Sequence, residues 1–134
     1  MVNPPDYDMT ELEGVCSFAR TPYCVYANPD LGIENLSDCI SRYQEGELEI
    51  FGGQQEGGNV HVVALLMKEY YDMPWDRYVG YDGGGPLIQA VASGEVPIGV
   101  TTDTSGFSAV EDGTVDVISV LSTGGSSVFP DEPT

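Results

Sequence analysis

The chain has 134 residues, of which 41% are hydrophobic, and this is enough for one domain with a packed core. Its 22 acidic side chains oppose four basic ones, and the formal net charge is −18. Such a surface repels phosphate backbones and anionic lipid, which argues against nucleic-acid binding. The longest apolar run, at 62–67, is far shorter than the ~18 to 20 residues that span a bilayer. Residues 1–9 also lack the basic and apolar regions of a signal peptide.

The acidic residues are scattered through the chain instead of forming a tail, and the single lysine is Lys68. This pattern predicts a salt-adapted, halophilic surface, because molar salt shortens the Debye length to about 3 Å and removes most of the self-repulsion. The alternatives are an ordinary acidic protein and a site for divalent cations. No sequence of the EF-hand type supports calcium binding, and we predict no metal site.

The hydrophobic periodicity divides the chain into short strands and helices. In chain order these are strands at 12–17 and 23–27, a helix at 36–43, a strand at 48–51, a helix at 60–71, a strand at 77–81, a helix at 86–94, a strand at 96–101, a helix at 105–111 and a strand at 115–121. Asn35 is the predicted N-cap of the first helix, and Gly46 is expected to end it. The alternation after residue 48 predicts one α/β domain with a mostly parallel sheet.

Two glycine-rich loops, at 52–58 and 83–86, are predicted where strands run into helices. In parallel sheets this is the edge where ligands bind. Glycines allow the backbone of the first loop to approach a ligand closely, and the next helix adds its positive end. The loop is therefore a candidate site for a carboxylate that needs no basic side chain; the alternative is a tight turn. It is neither a Walker A loop nor a G-x-G-x-x-G dinucleotide motif.

The only histidine of the chain, His61, falls in the first turn of the helix after this loop. The helix dipole disfavours an imidazolium there, so we expect a neutral ring that hydrogen-bonds a ligand or packs the loop. Asn59 is either the N-cap or a ligand contact.

The three cysteines match no zinc spacing, and we expect all three to be small buried residues, with no cofactor attached. The side chains between the second helix and the next strand are expected to pack in the core or at its rim. These are Tyr70, Tyr71, Met73 and Trp75.

Five segments in this order resemble the second domain of the extracytoplasmic solute receptors of tripartite tricarboxylate transporters, the Bug family. One is the glycine-rich loop that ends in a histidine, at 52–61, and another is the Tyr-x-Gly-Gly-Gly-Pro sequence at 81–86. A Gly-x-Val element lies at 94–96, and a glycine, a strand and a Pro-Asp-x-Pro-Thr ending occupy 113–134. The upstream stretches 7–15 and 22–28 also fit. The resemblance covers roughly residues 5–134.

This resemblance implies the three-layer α/β lobe of a type II periplasmic-binding-protein-like fold, with residues 1–134 as the second of two lobes. It implies a carboxylate ligand, held through backbone N–H groups and bridging waters for tripartite tricarboxylate-type uptake. The partners would be the missing first lobe and the membrane subunits of the transporter. The parent protein would be extracytoplasmic, either periplasmic or at the cell surface with a lipid anchor. The expected ligand contacts are Gly52, Gly53, Gln54, Gln55, Gly57, Gly58, Asn59, His61, Gly83 and Gly84.

The sequence departs from the family pattern at several positions. Gln54, Gln55 and Glu56 are bulky where the family has small residues, and Asp82 replaces a usual lysine. Two other classes of function stay open beside the receptor. One is a small hydrolase that uses His61 with Glu56 or a cysteine, although no G-x-S-x-G nucleophile motif is present. The other is a structural or sensor module that binds nothing by itself.

Overall fold

The computed structural model describes residues 8–17 and 19–134. Five strands form one sheet, with bounds β1 Tyr23–Ala27, β2 Ile50–Gln54, β3 Arg77–Tyr81, β4 Ile98–Thr102 and β5 Asp116–Leu121. Four α-helices accompany them, namely α1 Leu36–Gln44, α2 Asn59–Tyr70, α3 Gly84–Ala92 and α4 Asp103–Glu111. Short 3-10 turns lie at Met9–Glu11 and Pro29–Leu31.

The strand order in the sheet is β3-β2-β4-β1-β5. β2 pairs in parallel with both β3 and β4, whereas β1 is antiparallel to its neighbours β4 and β5. Four strands therefore run in one direction and β1 runs against them. This is the mostly parallel sheet that the sequence predicts, with one reversed strand inserted near an edge.

The helices lie on both faces of the sheet, as the two hydrophobic clusters show. One cluster joins α1 and α2 to the sheet through side chains such as Cys39, Ala64 and Phe51. The other joins α3 to the opposite face, with Leu87 and Val91 at its centre. Successive residues of β1 alternate between the clusters, because strand side chains point to opposite faces. The domain has three layers, and the α/β prediction is confirmed.

Helix α1 begins and ends where its sequence signals indicate. The Asn35 side chain accepts a hydrogen bond from the N–H of Asp38 at 3.0 Å, which makes it the predicted N-cap. Gly46 follows the helix with a φ of 75°, a conformation that glycine adopts without strain. The buried face carries Tyr43, whose hydroxyl donates to the carbonyl of Ile50 at 2.7 Å. That bond attaches α1 to the start of β2.

Strand β2 differs from its prediction, because it extends through Gln54 instead of ending at residue 51. Gly52 and Gly53 therefore belong to a buried strand between β3 and β4, and not to a loop. A Cβ on Gly52 would lie only 2.9 Å from side-chain atoms of Leu87 and Val96. The glycine permits close packing between the sheet and α3, so its role here is steric.

Several other expectations need correction. Residues 12–17 form no strand, and Cys16 on this segment is exposed, although Cys24 and Cys39 are buried as expected. Burial raises the pKa of each of these two thiols to about 12. Met73 and Trp75 are buried, whereas Tyr70 and Tyr71 are exposed.

The segment after β5 is hydrogen-bonded both to β5 and to the first residue of α4. Val120 donates its N–H to the carbonyl of Pro133 at 2.7 Å, and Ser126 donates to the buried Asp103 carboxylate, also at 2.7 Å. Both residues of the second pair are almost inaccessible to solvent. None of the described helices is long and apolar enough to cross a bilayer.

Candidate ligand-binding site

Three helices begin at the same edge of the sheet, at the carboxyl ends of three adjacent parallel strands. β2 leads into α2 through residues 55–58, β3 into α3 through Asp82 and Gly83, and β4 directly into α4. Helix N-termini carry partial positive charge and N–H groups without intrahelical acceptors. The topology therefore places three potential anion-binding ends side by side without any basic side chain.

The start of α2 offers the clearest free donors. Gly58 is its N-cap, with extended backbone angles and no side-chain capping bond, and the first turn contains no acidic residue. The first bond of the helix runs from the N–H of Val62 to the carbonyl of Gly58 at 3.1 Å. The N–H groups of Asn59, Val60 and His61 precede it and have no acceptor within residues 8–17 and 19–134. Asn59 is thus the first helical residue, so the N-cap alternative is wrong and the ligand contact stays a prediction.

The loop before α2 uses some of its own donors. The N–H of Gly57 points to Nδ1 of His61 at 3.0 Å, and the N–H of Gly58 to the carbonyl of Gln55 at 3.2 Å. The imidazole also packs on the ring of Tyr78, with centroids 4.4 Å apart. His61 therefore holds the loop together through an unprotonated Nδ1, which is the packing alternative of the sequence analysis. The donors that remain are those of the first helical turn.

The end of β2 is fixed by side chains from both neighbouring strands. The Tyr78 hydroxyl donates to the carbonyl of Gln54, and the Gln54 amide donates to the hydroxyl of the buried Thr101 at 3.1 Å. Gly52 and Gly53, the two strand residues before Gln54, are buried in the sheet. These contacts set where the loop at 55–58 begins.

The start of α3 lies beside the α2 loop and closes a small cavity of about 250 Å³, lined by Gln54, Gln55, Gly58, Asp82 and Gly83. The side-chain amide of Gln55 donates to Oδ1 of Asp82 at 3.1 Å, across the cavity. Gly83 has a φ of 111°, which only glycine adopts readily, and it caps α3 without a side-chain bond. Gly84 is the first residue of α3 and packs against Ser105 of α4.

The start of α4 carries a cluster of hydroxyl groups that the sequence analysis did not identify. Thr102 and Ser105 share a hydrogen bond at 2.7 Å, and Thr102 also contacts the hydroxyl of Thr104 at 3.3 Å. Asp103, the first residue of α4, accepts the N–H of Thr104 at 2.7 Å, and the N-cap Thr102 makes no side-chain capping bond. The sequence Thr-Thr-Asp-Thr-Ser at 101–105 could have identified this helix start, because it follows a predicted strand and contains residue types that favour the beginning of a helix.

Two tyrosines of β3 border this edge of the sheet, and the pKa of each is raised. Burial, and secondarily the negative charge of Glu56, raises the pKa of Tyr78 to about 12. Burial and the hydrogen bond to Glu95 also raise the pKa of Tyr81 to about 12. Both hydroxyls are therefore neutral hydrogen-bond donors at physiological pH.

Of the sequence-predicted contacts, the structure brings seven to the cavity or the adjoining helix starts, namely Gln54, Gln55, Gly58, Asn59, His61, Gly83 and Gly84. Gly57 lies in the loop, but its N–H is engaged by His61. A larger cavity, of about 770 Å³, is an open groove along β5 and lies elsewhere. Within the described part of the chain, no group of three or more His, Cys, Asp or Glu side chains could hold a metal ion.

Solved structures of solute receptors share this fold at low sequence identity. MatC (Rpa3494) from Rhodopseudomonas palustris with bound malate is 21% identical over 85% of this chain, with a TM-score of 0.76. Rpa4515 from R. palustris with adipate is 22% identical over 87% of this chain, with a TM-score of 0.79. A TctC solute-binding protein from Polaromonas gives a TM-score of 0.78 at 14% identity over 85% of this chain. The chain covers 39% of each of these three proteins.

No curated protein sequence matches the chain significantly. A family model does match, and it is described as the tripartite tricarboxylate transporter family receptor, TctC. The match extends over residues 3–134, which is nearly the whole chain. The chain therefore belongs to the TctC family of tripartite tricarboxylate transporter receptors.

Proposed function

We propose that this chain is a solute-binding lobe that holds a carboxylate through backbone N–H groups for tripartite tricarboxylate-type uptake. The observation that carries the proposal is the uncapped first turn of α2, where the N–H groups of Asn59, Val60 and His61 have no acceptor among the described residues and follow Gly58, which lines the cavity. Family membership and the malate and adipate bound to structural relatives support the choice of a carboxylate.

The energetics agree with a small organic anion. A hydrogen bond to a charged group contributes about 1.5–3 kcal/mol, so two or three helix N–H groups can hold a carboxylate without a cation. Glu56 and Asp82 lie next to this edge, and their charges oppose a highly charged ligand such as a phosphate. A single carboxylate group fits the donors best.

The chain would act as the second lobe of a two-lobed receptor, since it spans about two fifths of the length of the solved relatives. The ligand would be buried when a first lobe closes over this edge of the sheet. The receptor, outside the cytoplasm, would then deliver the ligand to the membrane subunits of the transporter. One lobe supplies only part of the contacts, so we expect binding by this chain alone to be in the millimolar range, about 4 kcal/mol at 1 mM.

The test compares two substitutions of Asn59. The affinity of each variant for malate and adipate is measured by NMR titration of the ¹⁵N-labelled protein. Asn59→Pro removes the first N–H of α2 but keeps the helix, because proline suits the first helical position and the extended backbone of Gly58 accommodates it. Asn59→Ala keeps the N–H and removes only the side chain. We expect the proline variant to bind about tenfold more weakly or worse, and the alanine variant to bind like wild type.

Two results would contradict the proposal. If neither carboxylate shifts the amide signals of residues 59–61, the site does not bind this class of ligand. If the two variants lose affinity equally, the Asn59 side chain and not the main chain is the contact.

A further inference from the structure

We propose that two copies of this chain associate through the outer surface of α2, as a weak dimer that molar salt strengthens. This surface, the α2 face, consists of five exposed apolar side chains, namely Val62, Leu65, Leu66, Tyr70 and Tyr71. It lies outside the cavity of the candidate ligand site, so the inference does not depend on the proposed function.

The α2 face contains most of the large apolar side chains that are exposed to solvent. Five of the eight such side chains in the described residues belong to it. The four within the helix follow one another at intervals of three, one and four residues, which places them on one side of α2. The buried side of the same helix carries Val60, Ala64 and Met67. A contiguous apolar stripe of this kind marks a surface that binds a partner, unlike apolar residues scattered singly.

The charge distribution favours the approach of a second chain at this place. The chain has 22 acidic side chains in 134 residues, but residues 59–71 contain a single one, Glu69. The neighbouring Lys68 is turned towards its own chain, because its Nζ donates to the carbonyl of Trp75 at 2.6 Å and lies 4.2 Å from the centroid of that ring. Two chains of net charge −18 therefore repel each other less here than at surfaces with the average density of acids.

The α2 face is also complementary to itself. Tyr70 is 76% exposed and protrudes beside a groove of about 230 Å³. The residues that line this groove are all uncharged, namely Val63, Leu66, Met67, Tyr70, Tyr71 and Leu121. In a dimer with two-fold symmetry every contact occurs twice, so the Tyr70 ring of each copy enters the groove of the other. Aromatic side chains that fill apolar pockets are typical of the energetically dominant contacts in protein interfaces.

The area of the α2 face suits a weak dimer. From their exposed fractions, the five side chains offer roughly 500 Å² of apolar surface per copy, which is large for a patch on a monomer. Two copies would bury roughly 1,000 Å², the lower limit of specific interfaces. Salt should strengthen the dimer, because it screens the repulsion between the chains whereas the apolar contact persists.

A lipid surface is the main competing occupant of an apolar helix face. Helices that lie in a membrane interface carry many lysines and arginines on their polar side. In α2 the basic residue of this kind is Lys68, and the chain as a whole is strongly acidic. A second copy in molar salt fits both the apolar surface and the charge.

The experiment measures the dimer dissociation constant of the 134-residue chain by sedimentation equilibrium. KCl is varied up to molar concentration, over the range in which circular dichroism shows the chain to be folded. Tyr70→Glu places a charge in the proposed contact, and the fold should persist because this side chain is mostly exposed. Val15→Glu is the control, since it adds the same charge at an apolar position that is 95% exposed and lies outside α2. Co-sedimentation with phosphatidylcholine vesicles tests for lipid binding.

We expect a wild-type dimer in molar KCl, with a dissociation constant about tenfold or more below its value at the lowest salt. Tyr70→Glu should raise the dissociation constant in molar KCl by about thirtyfold or more, as for a dominant interface residue, and Val15→Glu should change it less than about threefold. A wild type that stays monomeric in molar KCl at millimolar concentration overturns the inference, and vesicle binding in that case assigns the α2 face to lipid. A dimer that survives in Tyr70→Glu overturns it as well.

Discussion

The ring of Tyr78 in β3 lies directly over the backbone of Gly53 in β2, and its hydroxyl donates to the carbonyl of the next residue, Gln54. A Cβ on Gly53 would overlap the phenol ring and its oxygen. The same ring packs on His61, which in turn accepts the N–H of Gly57. One tyrosine therefore connects the end of β2 to the loop and the first turn of α2, where the free donors lie.

Gly53→Ala should destabilise the fold by about 1–3 kcal/mol, because the added methyl group forces Tyr78 out of its position over the strand. The measurement is urea unfolding followed by circular dichroism. Gly85→Ala in α3 is the control, since a Cβ there meets no atom within 4 Å. We expect that variant to be as stable as wild type or about 0.4–1 kcal/mol more stable. Equal stability of the two variants would show that the contact between Tyr78 and Gly53 is not close.

Alkaline pH should destabilise the protein, and the buried tyrosines should contribute to this between about pH 10 and 12. An unfolded tyrosine ionises near a pKa of about 10, whereas burial, and then Glu56, raises the pKa of Tyr78 to about 12. Because the unfolded state loses this proton first, the contribution of Tyr78 is complete below pH 10 and is lost as the pH rises through 12. The buried thiols of Cys24 and Cys39, whose pKa is also raised to about 12, begin the decline at lower pH, because an unfolded thiol ionises near a pKa of about 8.5. Burial likewise raises the pKa of Tyr26 and Tyr43, which adds to the decline.

The check is the free energy of unfolding measured by urea titration at several pH values from 9 to about 12. Tyr78→Phe should make the decline shallower, and Tyr70→Phe, which changes an exposed tyrosine, should leave it as in wild type. If the Tyr78 and Tyr70 variants follow the same curve, the raised pKa of Tyr78 does not contribute to stability.

Salt should stabilise the fold, which is the outcome that the predicted salt-adapted surface requires. The net charge is −18, and the ion pairs of the described residues both involve one side chain, Arg42, with Asp38 and Glu47. Most carboxylates therefore repel one another, and at molar salt the Debye length of about 3 Å screens that repulsion.

The melting temperature is measured by circular dichroism from low ionic strength to molar KCl. The double variant Glu45→Gln and Glu49→Gln removes two exposed charges next to β2, and we expect it to need less salt for the same stability. A wild-type melting temperature that does not change with salt would argue for an ordinary acidic protein.

Local signals in the sequence were sufficient for most of the elements. Asn35 and Gly46 marked the limits of α1, and the period of the apolar residues identified α2 and β3 with nearly correct bounds. The order of strands and helices then predicted the layered α/β fold. The composition predicted that an anion site would use main-chain donors, because only four basic residues exist.

The errors concern residues whose conformation depends on distant partners. Gly52 and Gly53 are typical loop residues by composition, but they lie in a central strand because β3 and β4 pair with it and Leu87 packs closely on it. The apolar residues at 12–17 have the character of a strand, but no strand forms there. Propensity is a property of the segment, whereas a strand exists only where another strand binds it.

The sequence by itself determined the order of elements, their main helix limits and the shortage of cations at any binding site. Only the tertiary structure decided which donors are free, since the N–H groups of Gly57 and Gly58 are used within the loop and those of the first turn of α2 are not. It also placed Asp82 across a cavity from that turn. These facts depend on contacts between residues that are separated in sequence, and local patterns do not encode distances across a sheet edge.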